Sequence, residues 1–228
     1  MIVTIDGPAG AGKSTVARAL AERLGFQYLD TGAMYRAVAL AGMRRGLDWD
    51  RPEDMVTLCR QLRIEVDGPR ILLDGEDVSA EVRSSAVTAV TRYAADNPGV
   101  RAHLVELQRT IAGSRDVVTE GRDQGTVAFP HAQCKIFLSA SDEERARRRV
   151  EDLRQRGEHV DFAQVLGDQQ RRDQRDRARS VGPLVQASDA VEVLTDGLSI
   201  VQVVDRLQEL VRAKSAAPRP EPPSAAAR

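Results

Sequence analysis

The sequence predicts an α/β protein in which helices flank a parallel sheet, and three observations lead to this class. A β-branched run over residues 2–5 passes through a glycine-rich loop into a helical pattern with Val16, Leu20 and Leu24 one turn apart. Further along, short apolar runs that end in polar loops alternate with amphipathic helical patterns. The chain of 228 residues is long enough for one domain with a full core and some insertions.

The loop after the first strand has the spacing Gly7-x-x-x-x-Gly12-Lys13-Ser14. Its glycines let backbone N–H groups point at a phosphate, and the following helix adds the positive end of its dipole. In such a loop the lysine reaches the β- and γ-phosphates and the serine hydroxyl binds Mg²⁺. An ordinary glycine-rich turn is the alternative, which the flanking strand and helix disfavour. The residues expected to bind a nucleoside triphosphate are Gly7, Pro8, Ala9, Gly10, Ala11, Gly12, Lys13, Ser14 and Thr15.

Composition and charge narrow the class of protein. The 33 basic and 34 acidic residues give a formal net charge of −1, so no bulk attraction to nucleic acid or membrane is indicated. No apolar run approaches the roughly 18 residues of a membrane-spanning helix. Because the N-terminus leads directly into the phosphate loop, we expect a cytoplasmic protein. Cys59 and Cys134 lack metal-type spacing and are expected to be buried free thiols.

A second strand is predicted over residues 26–30, after Gly25, which ends the first helix. The strand leads into Asp30-Thr31 and a helix that runs to about Gly46. Polar groups at the carboxyl end of a parallel strand lie beside the phosphate loop, where α/β sheets bind ligands. Arg36, one turn into this helix, is therefore a candidate clamp for a second anionic substrate. The alternative is a surface arginine on a capped helix.

A small antiparallel sheet is predicted next, in a segment that interrupts the parallel pattern. After a helix that begins near Pro52, apolar runs at residues 62–66 and 70–73 are joined by tight-turn sequences. We expect residues 47–96 to form an insertion that acts as a mobile lobe for the acceptor substrate.

The third parallel strand, residues 117–120, follows a helix opened by Asn97-Pro98 and delivers the loop Gly121-Arg122-Asp123. An arginine beside an aspartate at a glycine-flanked strand end offers a phosphate clamp and a carboxylate acceptor in one loop. A fourth strand is predicted over residues 134–138. A capping box, Ser141-x-x-Glu144, then opens an arginine-rich helix.

The segment 145–179 is the most highly charged part of the chain, and its positive and negative charges alternate. Mixed charge is typical of solvated helices rather than of a nucleic-acid surface. Three arginines around one carboxylate suit a multiply phosphorylated ligand, with structural ion pairing as the alternative. The four residues that share this helical face are Arg172, Arg175, Asp176 and Arg179. A fifth strand over residues 190–195 and a final helix capped by Ser199 complete the domain.

The sequence offers no obvious general base. It lacks a Ser/His/Asp nucleophile arrangement and the Asn-Lys-x-Asp signature of guanine binding. A phosphate acceptor needs no base, because its oxygen is already ionised near pH 7. Catalysis would then consist of alignment and charge cancellation, for which arginines and Mg²⁺ suffice.

Six motifs resemble those of the bacterial cytidylate kinases, in that family's order and over nearly the whole chain to about residue 212. They are Gly7-Pro-Ala-Gly-Ala-Gly-Lys-Ser-Thr15, Asp30-Thr-Gly-Ala-Met-Tyr-Arg36, Gly75-Glu-Asp-Val-Ser79, Gly121-Arg-Asp-Gln-Gly-Thr126, Lys135-Ile-Phe-Leu138 and Arg172-Asp-Gln-Arg-Asp-Arg-Ala-Arg179. The resemblance implies the P-loop nucleoside monophosphate kinase fold, with a five-stranded parallel sheet. It also implies phosphoryl transfer from ATP, with Mg²⁺, to CMP or dCMP.

The same resemblance implies the domain organisation. A single P-loop kinase domain is expected over residues 1–213, with an acceptor-binding insertion at about 36–105 and a helical lid at about 145–180. The remaining residues, 214–228, are rich in alanine, proline and serine and are expected to form a disordered tail. The family implies a monomer.

The roles of the site residues follow from the resemblance position by position. Around the CMP phosphate it places Thr31, Arg36 and Arg122. At the cytosine edge it places Thr91, Arg101 and Asp123. At the sugar it places Arg172 and Asp176. The catalytic residues would be Lys13, Arg122, Arg175 and Arg179, with Arg179 bridging toward the phosphates and Arg175 approaching the transferring group together with lid arginines near Arg148.

Hydrogen-bond chemistry explains why a carboxylate at Asp123 would select cytosine. Cytosine carries an N4 amino donor where uracil carries an O4 acceptor, so a carboxylate favours cytosine. A site built on such hydrogen bonds rejects an analogue strongly, because mispairing leaves buried polar groups unsatisfied.

The sequence departs from the family pattern in two places. Gln124 stands where an aliphatic residue is usual, which concerns packing behind the loop. Thr195-Asp196-Gly197 differs from the usual end of the last strand, near where adenine would sit, and concerns the preference among phosphate donors.

Two alternative functions stay open from the sequence. A uridylate or shikimate kinase would share residues 7–15 but lack the hairpins together with the Arg122-Asp123 loop. A nucleotide-dependent switch or nucleic-acid-stimulated ATPase would use the arginine-rich segment as a binding surface. We expect neither nucleic acid nor membrane as a partner.

Overall fold

The structure, a computed structural model, describes residues 1–155 and 157–216. Within them the elements are β1 (Ile2–Asp6), α1 (Lys13–Leu24), β2 (Gln27–Asp30), α2 (Thr31–Arg44), α3 (Pro52–Gln61), β3 (Ile64–Asp67), β4 (Arg70–Leu73), β5 (Glu76–Asp77), α4 (Ser85–Ala95), α5 (Pro98–Ala112), β6 (Val117–Gly121), β7 (Cys134–Ser139), α6 (Asp142–Gln155), α7 (Phe162–Ala178), β8 (Val191–Leu194) and α8 (Ile200–Ala216). None of these helices is long and apolar enough to cross a membrane. Of the expected tail, residues 214–216 belong to α8 and residues 217–228 lie outside the described part of the chain.

The central sheet has the strand order β2-β6-β1-β7-β8, and its strands all pair in parallel. This confirms the predicted five-stranded parallel sheet. Helices α1 and α8 pack with β1 in one apolar cluster, while α2 and α5 pack with β2 in another. Because the strands are covered by helices and run the same way, their carboxyl ends open together at one edge, where such sheets bind ligands.

The predicted hairpins form a second, antiparallel sheet of three strands in the order β3-β4-β5. Ile64, Ile71 and Leu73 of this sheet are buried in the same apolar cluster as α2 and α3. The insertion therefore shares a core with the helix that leads away from β2.

Helix α4 is the main element that the sequence pattern does not predict. The segment Ser85–Ala95 is rich in β-branched residues, which locally favour strands. Ser84 Oγ accepts the Val87 N–H over 3.3 Å, and Val87 and Ala94 are buried in the cluster that contains α2. Tertiary packing and a serine cap thus outweigh the intrinsic preference of the segment.

Helices α6 and α7 form an antiparallel pair that closes around a small cluster of Ala146, Val150, Leu153 and Val165. The connection between the two helices contains Gly157, whose φ of 80° suits glycine. The capping box at the start of α6 is only half correct. Ser141 Oγ accepts the Glu144 N–H over 3.3 Å, but the Ser141 N–H donates to Asp196 instead of Glu144. The Glu144 carboxylate is instead paired with Arg148 over 3.0 Å, one turn along α6.

Candidate active site

A cavity of about 680 Å³ lies at the carboxyl ends of β2 and β6, between the phosphate loop, α4 and the pair α6–α7. Sequence-predicted site residues from six separate segments line it together. They are Ala9, Gly10, Ala11, Gly12, Lys13, Ser14, Thr15, Thr31, Arg36, Thr91, Arg101, Arg122, Asp123, Arg172, Asp176 and Arg179. Of the remaining predicted residues, Gly7 and Pro8 lie at the base of the loop outside the lining, and Arg175 lies elsewhere.

The phosphate loop has the backbone that its glycines predict. Gly7 has a φ of 149°, and a Cβ built there would stand 2.0 Å from the Leu138 carbonyl oxygen of β7, so that a side chain is excluded. Gly12, with a φ of 85°, is the N-cap of α1. The amino end of that helix therefore opens directly into the cavity, where its unpaired N–H groups and dipole favour an anion.

Lys13 is the buried cation of the loop. Its Nζ donates to the Pro8 carbonyl oxygen over 2.8 Å. Burial and then the positive charge of Arg122 lower the pKa of Lys13 to about 7, while Glu120 acts in the opposite direction. This ammonium group thus lacks a sufficient counter-charge in the protein, and a bound phosphate would supply it.

Ser14 faces a carboxylate that the sequence analysis did not single out. Its Oγ donates to Oε1 of Glu120 over 2.7 Å, at the end of β6. Burial and the negative charge of Asp30 raise the pKa of Glu120. No group of three or more His, Cys, Asp or Glu side chains in residues 1–155 and 157–216 is arranged to hold a metal ion. A divalent cation here would therefore depend on one or two protein oxygens together with substrate phosphates, as Mg²⁺ commonly does.

Asp176 of α7 pairs with arginines on one side of the cavity. Its carboxylate accepts from Arg122 Nε over 2.8 Å and from Arg179 Nη2 over 2.5 Å. Arg172 shares this region, and burial, followed by the charge of Arg122, lowers its pKa to about 10. Several arginines thus surround one carboxylate, which leaves an excess of positive charge suited to a polyanion.

Across the cavity, Arg36 and Thr31 are held by neighbouring backbone and side chains. Arg36 Nη1 donates to Thr88 Oγ1 over 2.7 Å and to the Val82 carbonyl over 3.3 Å. Thr31 Oγ1 donates to the Glu120 carbonyl over 2.7 Å. Both side chains therefore have defined positions before any ligand is bound.

Arg101 and Asp123 form a buried ion pair at the far end of the cavity. Arg101 also donates from Nη1 to the Ala95 carbonyl over 2.9 Å, while its Nε is buried without a partner among the described residues. Although it is charged, the Arg101 side chain is only 3% exposed. Thr91 Oγ1 donates to the Val87 carbonyl over 2.7 Å nearby. A buried donor left open at a cavity wall is suited to a polar ligand.

Gly182 covers this ion pair and is a further residue that the sequence analysis missed. Its φ is 61°, and a Cβ built on it would stand 2.2 Å from both Asp123 Oδ2 and Arg101 Nη2. Any side chain at this position would displace the pair. A glycine before a proline reads as an ordinary turn, so only the tertiary contact reveals the requirement.

Arg175 lies outside the cavity. This corrects its predicted position beside the transferring phosphoryl group. Its side chain is 43% exposed, and Nε lies 3.5 Å from Oδ2 of Asp96 on the outer surface. On a helix, residue 175 is rotated by about 60° from residue 172, whereas residues 176 and 179 lie within about 40°. Asp96 attracts the Arg175 guanidinium. Because Asp96 belongs to a distant segment of the chain, the helical pattern of α7 does not reveal this pairing.

Gln124 and Thr195, from the two departures from the family pattern, both form hydrogen bonds to neighbouring side chains. The buried Gln124 side chain accepts from Thr119 Oγ1 over 2.9 Å and donates to Gln108 Oε1 over 3.3 Å. It is therefore satisfied behind the loop. Thr195 lies at the cavity wall, where its hydroxyl and carbonyl accept from Arg148 over 3.0 and 2.8 Å.

Comparison with known proteins decides the family. The family model described as cytidylate kinase matches residues 3–213. A cytidylate kinase of Rhodopirellula baltica is 51% identical over 212 residues, which cover 93% of each chain. One of Caldanaerobacter subterraneus subsp. tengcongensis is 46% identical over 210 residues, covering 92% of this chain and 94% of that one. The chain belongs to the cytidylate kinase family.

A solved structure supports the fold alone. An uncharacterized protein from Eubacterium ventriosum superposes with a TM-score of 0.53 at 11% identity, covering 93% of this chain and 98% of that one. The assignment to the cytidylate kinase family thus depends on the sequence matches, whereas the arrangement of the cavity comes from this structure.

Proposed function

We propose that the protein is a cytidylate kinase, which transfers the γ-phosphoryl group of ATP to CMP or dCMP and produces ADP with CDP or dCDP. One observation carries this proposal beyond family membership. A single cavity joins a phosphate loop, a group of arginines around Asp176 and a buried Arg101–Asp123 pair. These three parts match a triphosphate donor, a phosphate acceptor and a polar base.

The donor phosphates are bound by the phosphate loop, residues 7–15. Backbone N–H groups at the start of α1 and the Lys13 ammonium compensate the charge of the β- and γ-phosphates. The buried position of Lys13 strengthens this interaction, because there is little water to screen it.

Mg²⁺ fits the same end of the cavity. The Ser14 hydroxyl would be its ligand from the protein, together with ATP phosphates and water, and Glu120 would hold the hydroxyl in place. When bound, the ion neutralises charge on the phosphates.

The acceptor lies on the opposite side. Thr31, Arg36 and Arg122 bind the phosphate of CMP. Arg172 and Asp176 hold the sugar, and Arg179 bridges from Asp176 toward the phosphates. The acceptor oxygen is ionised at neutral pH, so these residues need only align two anions in line and offset their repulsion. This explains why the site needs no general base.

Asp123, Arg101 and Thr91 read the base. The N4 amino group of cytosine donates to the Asp123 carboxylate, and Arg101 supplies donors to the acceptor atoms of the ring. Uracil presents an acceptor to Asp123 and leaves two buried acceptors facing one another, which is costly.

Two segments of the chain correspond to the acceptor and to the transferring phosphates. Residues of about 36–105 form the acceptor lobe, and residues of about 145–180 form a lid that brings its arginines over the phosphates. Because more than a third of the residues that line the cavity belong to these two segments, their approach would exclude water from the reacting groups.

A coupled assay of ADP release tests the function. Mg·ATP is supplied with CMP, dCMP, UMP, AMP, GMP or shikimate in separate reactions. We expect rapid turnover mainly with CMP and dCMP. Preference for another acceptor would move the specificity assignment, and ATP hydrolysis that is indifferent to every acceptor would exclude a kinase.

A further inference from the structure

A second buried ion pair lies outside the groups assigned so far and binds the phosphate loop itself. Arg145 of α6 and Asp173 of α7 are each 2% exposed, and Arg145 Nη1 donates to Asp173 Oδ2 over 2.6 Å. The same Nη1 donates to the Ala9 carbonyl over 2.7 Å, while Asp173 Oδ1 accepts the Ala9 N–H over 3.2 Å. Both backbone polar groups of one loop residue are therefore bound by this pair.

The helix pair also packs against the neighbouring loop residue. Gln169 Nε2 donates to the Arg145 carbonyl over 3.2 Å, and a Cβ built on Gly10 would stand 2.6 Å from that nitrogen. The loop glycine thus allows α7 to approach the phosphate loop closely. Arg145 is further anchored from Nε to the Ala140 carbonyl over 3.2 Å, at the end of β7.

A structural role in stability is a weak explanation for this arrangement. Removing two charges from water is costly, and apolar residues of similar volume often serve as well or better in a buried site. An ion pair, unlike an apolar pair, provides a donor and an acceptor in fixed positions for the carbonyl and the N–H of one loop residue, Ala9.

We propose that Arg145 and Asp173 are positioning residues for the phosphate loop, which bind the Ala9 backbone and so hold the loop in the conformation that receives ATP phosphates. The proposal rests on the proposed function only in taking ATP as the ligand of the loop. Because the two residues come from both helices of the proposed lid, the shape of the loop depends on how these helices are seated.

The test compares Asp173→Asn, Arg145→Lys and the double variant Arg145→Met/Asp173→Leu with the unaltered protein. The double variant removes both charges together, so that it leaves no unpaired charge and retains the volume needed for folding. We expect each variant to raise the KM for ATP about tenfold while the KM for CMP at saturating ATP changes less than twofold. The affinity for a non-hydrolysable ATP analogue, measured by calorimetry, should fall by the same factor.

Val150→Ala is the matched control. Val150 lies on α6 within the small apolar cluster, so this change lowers thermal stability in the same helix pair without touching the loop. We expect its KM for ATP to stay within twofold of the unaltered value. The proposal is overturned if the double variant folds and binds the analogue normally, or if Val150→Ala weakens ATP binding as much at equal loss of Tm. Failure of the unaltered protein to phosphorylate CMP would instead contradict the proposed function, and the binding measurement would still test the role of the pair.

Discussion

Arg179 donates from Nε to Oδ1 of Asp96 over 2.6 Å, which links the residue that follows α7 to the residue that follows α4. The same guanidinium donates from Nη2 to Asp176. Arg179 is therefore held between carboxylates of the two lobes that we propose to close over the substrates. Its orientation depends on contact between the lobes as well as on its own helix.

Replacing Asp96 by asparagine should disturb catalysis through Arg179. The change keeps the shape of the side chain but removes the charge from a hydrogen bond between charged groups. We expect kcat with CMP to fall about tenfold, equivalent to about 1.4 kcal/mol, with little change in the KM for ATP. Steady-state kinetics with each substrate varied in turn would measure both effects.

Asp67→Asn provides the control for that change. Asp67 is paired with Arg70 on the exposed hairpin of the insertion, away from the cavity. We expect this variant to retain full activity, because exposed ion pairs contribute little. If Asp96→Asn were also fully active, Arg179 would need no partner from the acceptor lobe.

Replacing Asp123 by asparagine should weaken discrimination between cytosine and uracil. The amide can donate to the O4 atom of uracil, which the carboxylate cannot. We expect the ratio of kcat/KM for CMP to that for UMP to fall at least about tenfold, while the KM for ATP changes little. Loss of the carboxylate also leaves Arg101 buried and unpaired, which should lower stability by about 3 kcal/mol.

Temperature separates these two effects of Asp123→Asn. The kinetic comparison is made well below the Tm of the variant, where the protein is fully folded. Equal losses of CMP and UMP turnover under that condition would argue against base reading by Asp123.

Gly182→Ala should displace the Arg101–Asp123 ion pair, which Gly182 covers. The added Cβ would overlap both Asp123 and Arg101, so we expect a large increase in the KM for CMP and a lower Tm. Gly46→Ala is a matched control, because Gly46 has the same φ of 61° but no atom within 4 Å of the added Cβ. Backbone strain alone should affect both variants equally. Similar KM values for CMP in the two variants would therefore contradict the steric explanation.

The lowered pKa of Lys13 predicts uptake of a proton when ATP binds. With a pKa of about 7 in the free protein, Lys13 is mostly neutral at pH 8. Bound phosphates favour its charged form and raise this pKa. We expect uptake approaching one proton per site at pH 8, measured by calorimetry of a non-hydrolysable ATP analogue in buffers of different ionisation enthalpy.

Lys13→Arg tests the source of that proton, because arginine is charged throughout this pH range. Proton uptake should be absent from this variant, and equal uptake in both proteins would assign it to another group. The sign for folding is opposite to that of an ordinary lysine. Since burial lowers the pKa below the unfolded value of 10.5, the unfolded chain binds the proton first, and the free protein should lose stability as the pH falls from 10.5 toward 7.

Much of this protein could be predicted from local sequence. The strand, glycine loop and helix at the N-terminus are specified by neighbouring residues, because glycines at 7 and 12 permit conformations that other residues rarely adopt. The parallel sheet follows from buried apolar runs alternating with amphipathic helices, and the antiparallel hairpins follow from their turn residues. The resemblance of six motifs to one family indicated which polar residues to examine.

Only the tertiary structure decided how these side chains are partnered. Arg175 and Arg179 are four positions apart at the end of one charged helix, yet Arg175 faces outward and Arg179 lies at the cavity. Arg145 is one of several arginines in α6, but it alone among the described ones is almost completely buried, against Ala9 and Asp173. The physical reason is distance along the chain. Local patterns determine backbone conformation within a few turns, whereas Asp96 and Arg179 are 83 positions apart and Ala9 and Asp173 are 164 apart, so packing alone brings them together.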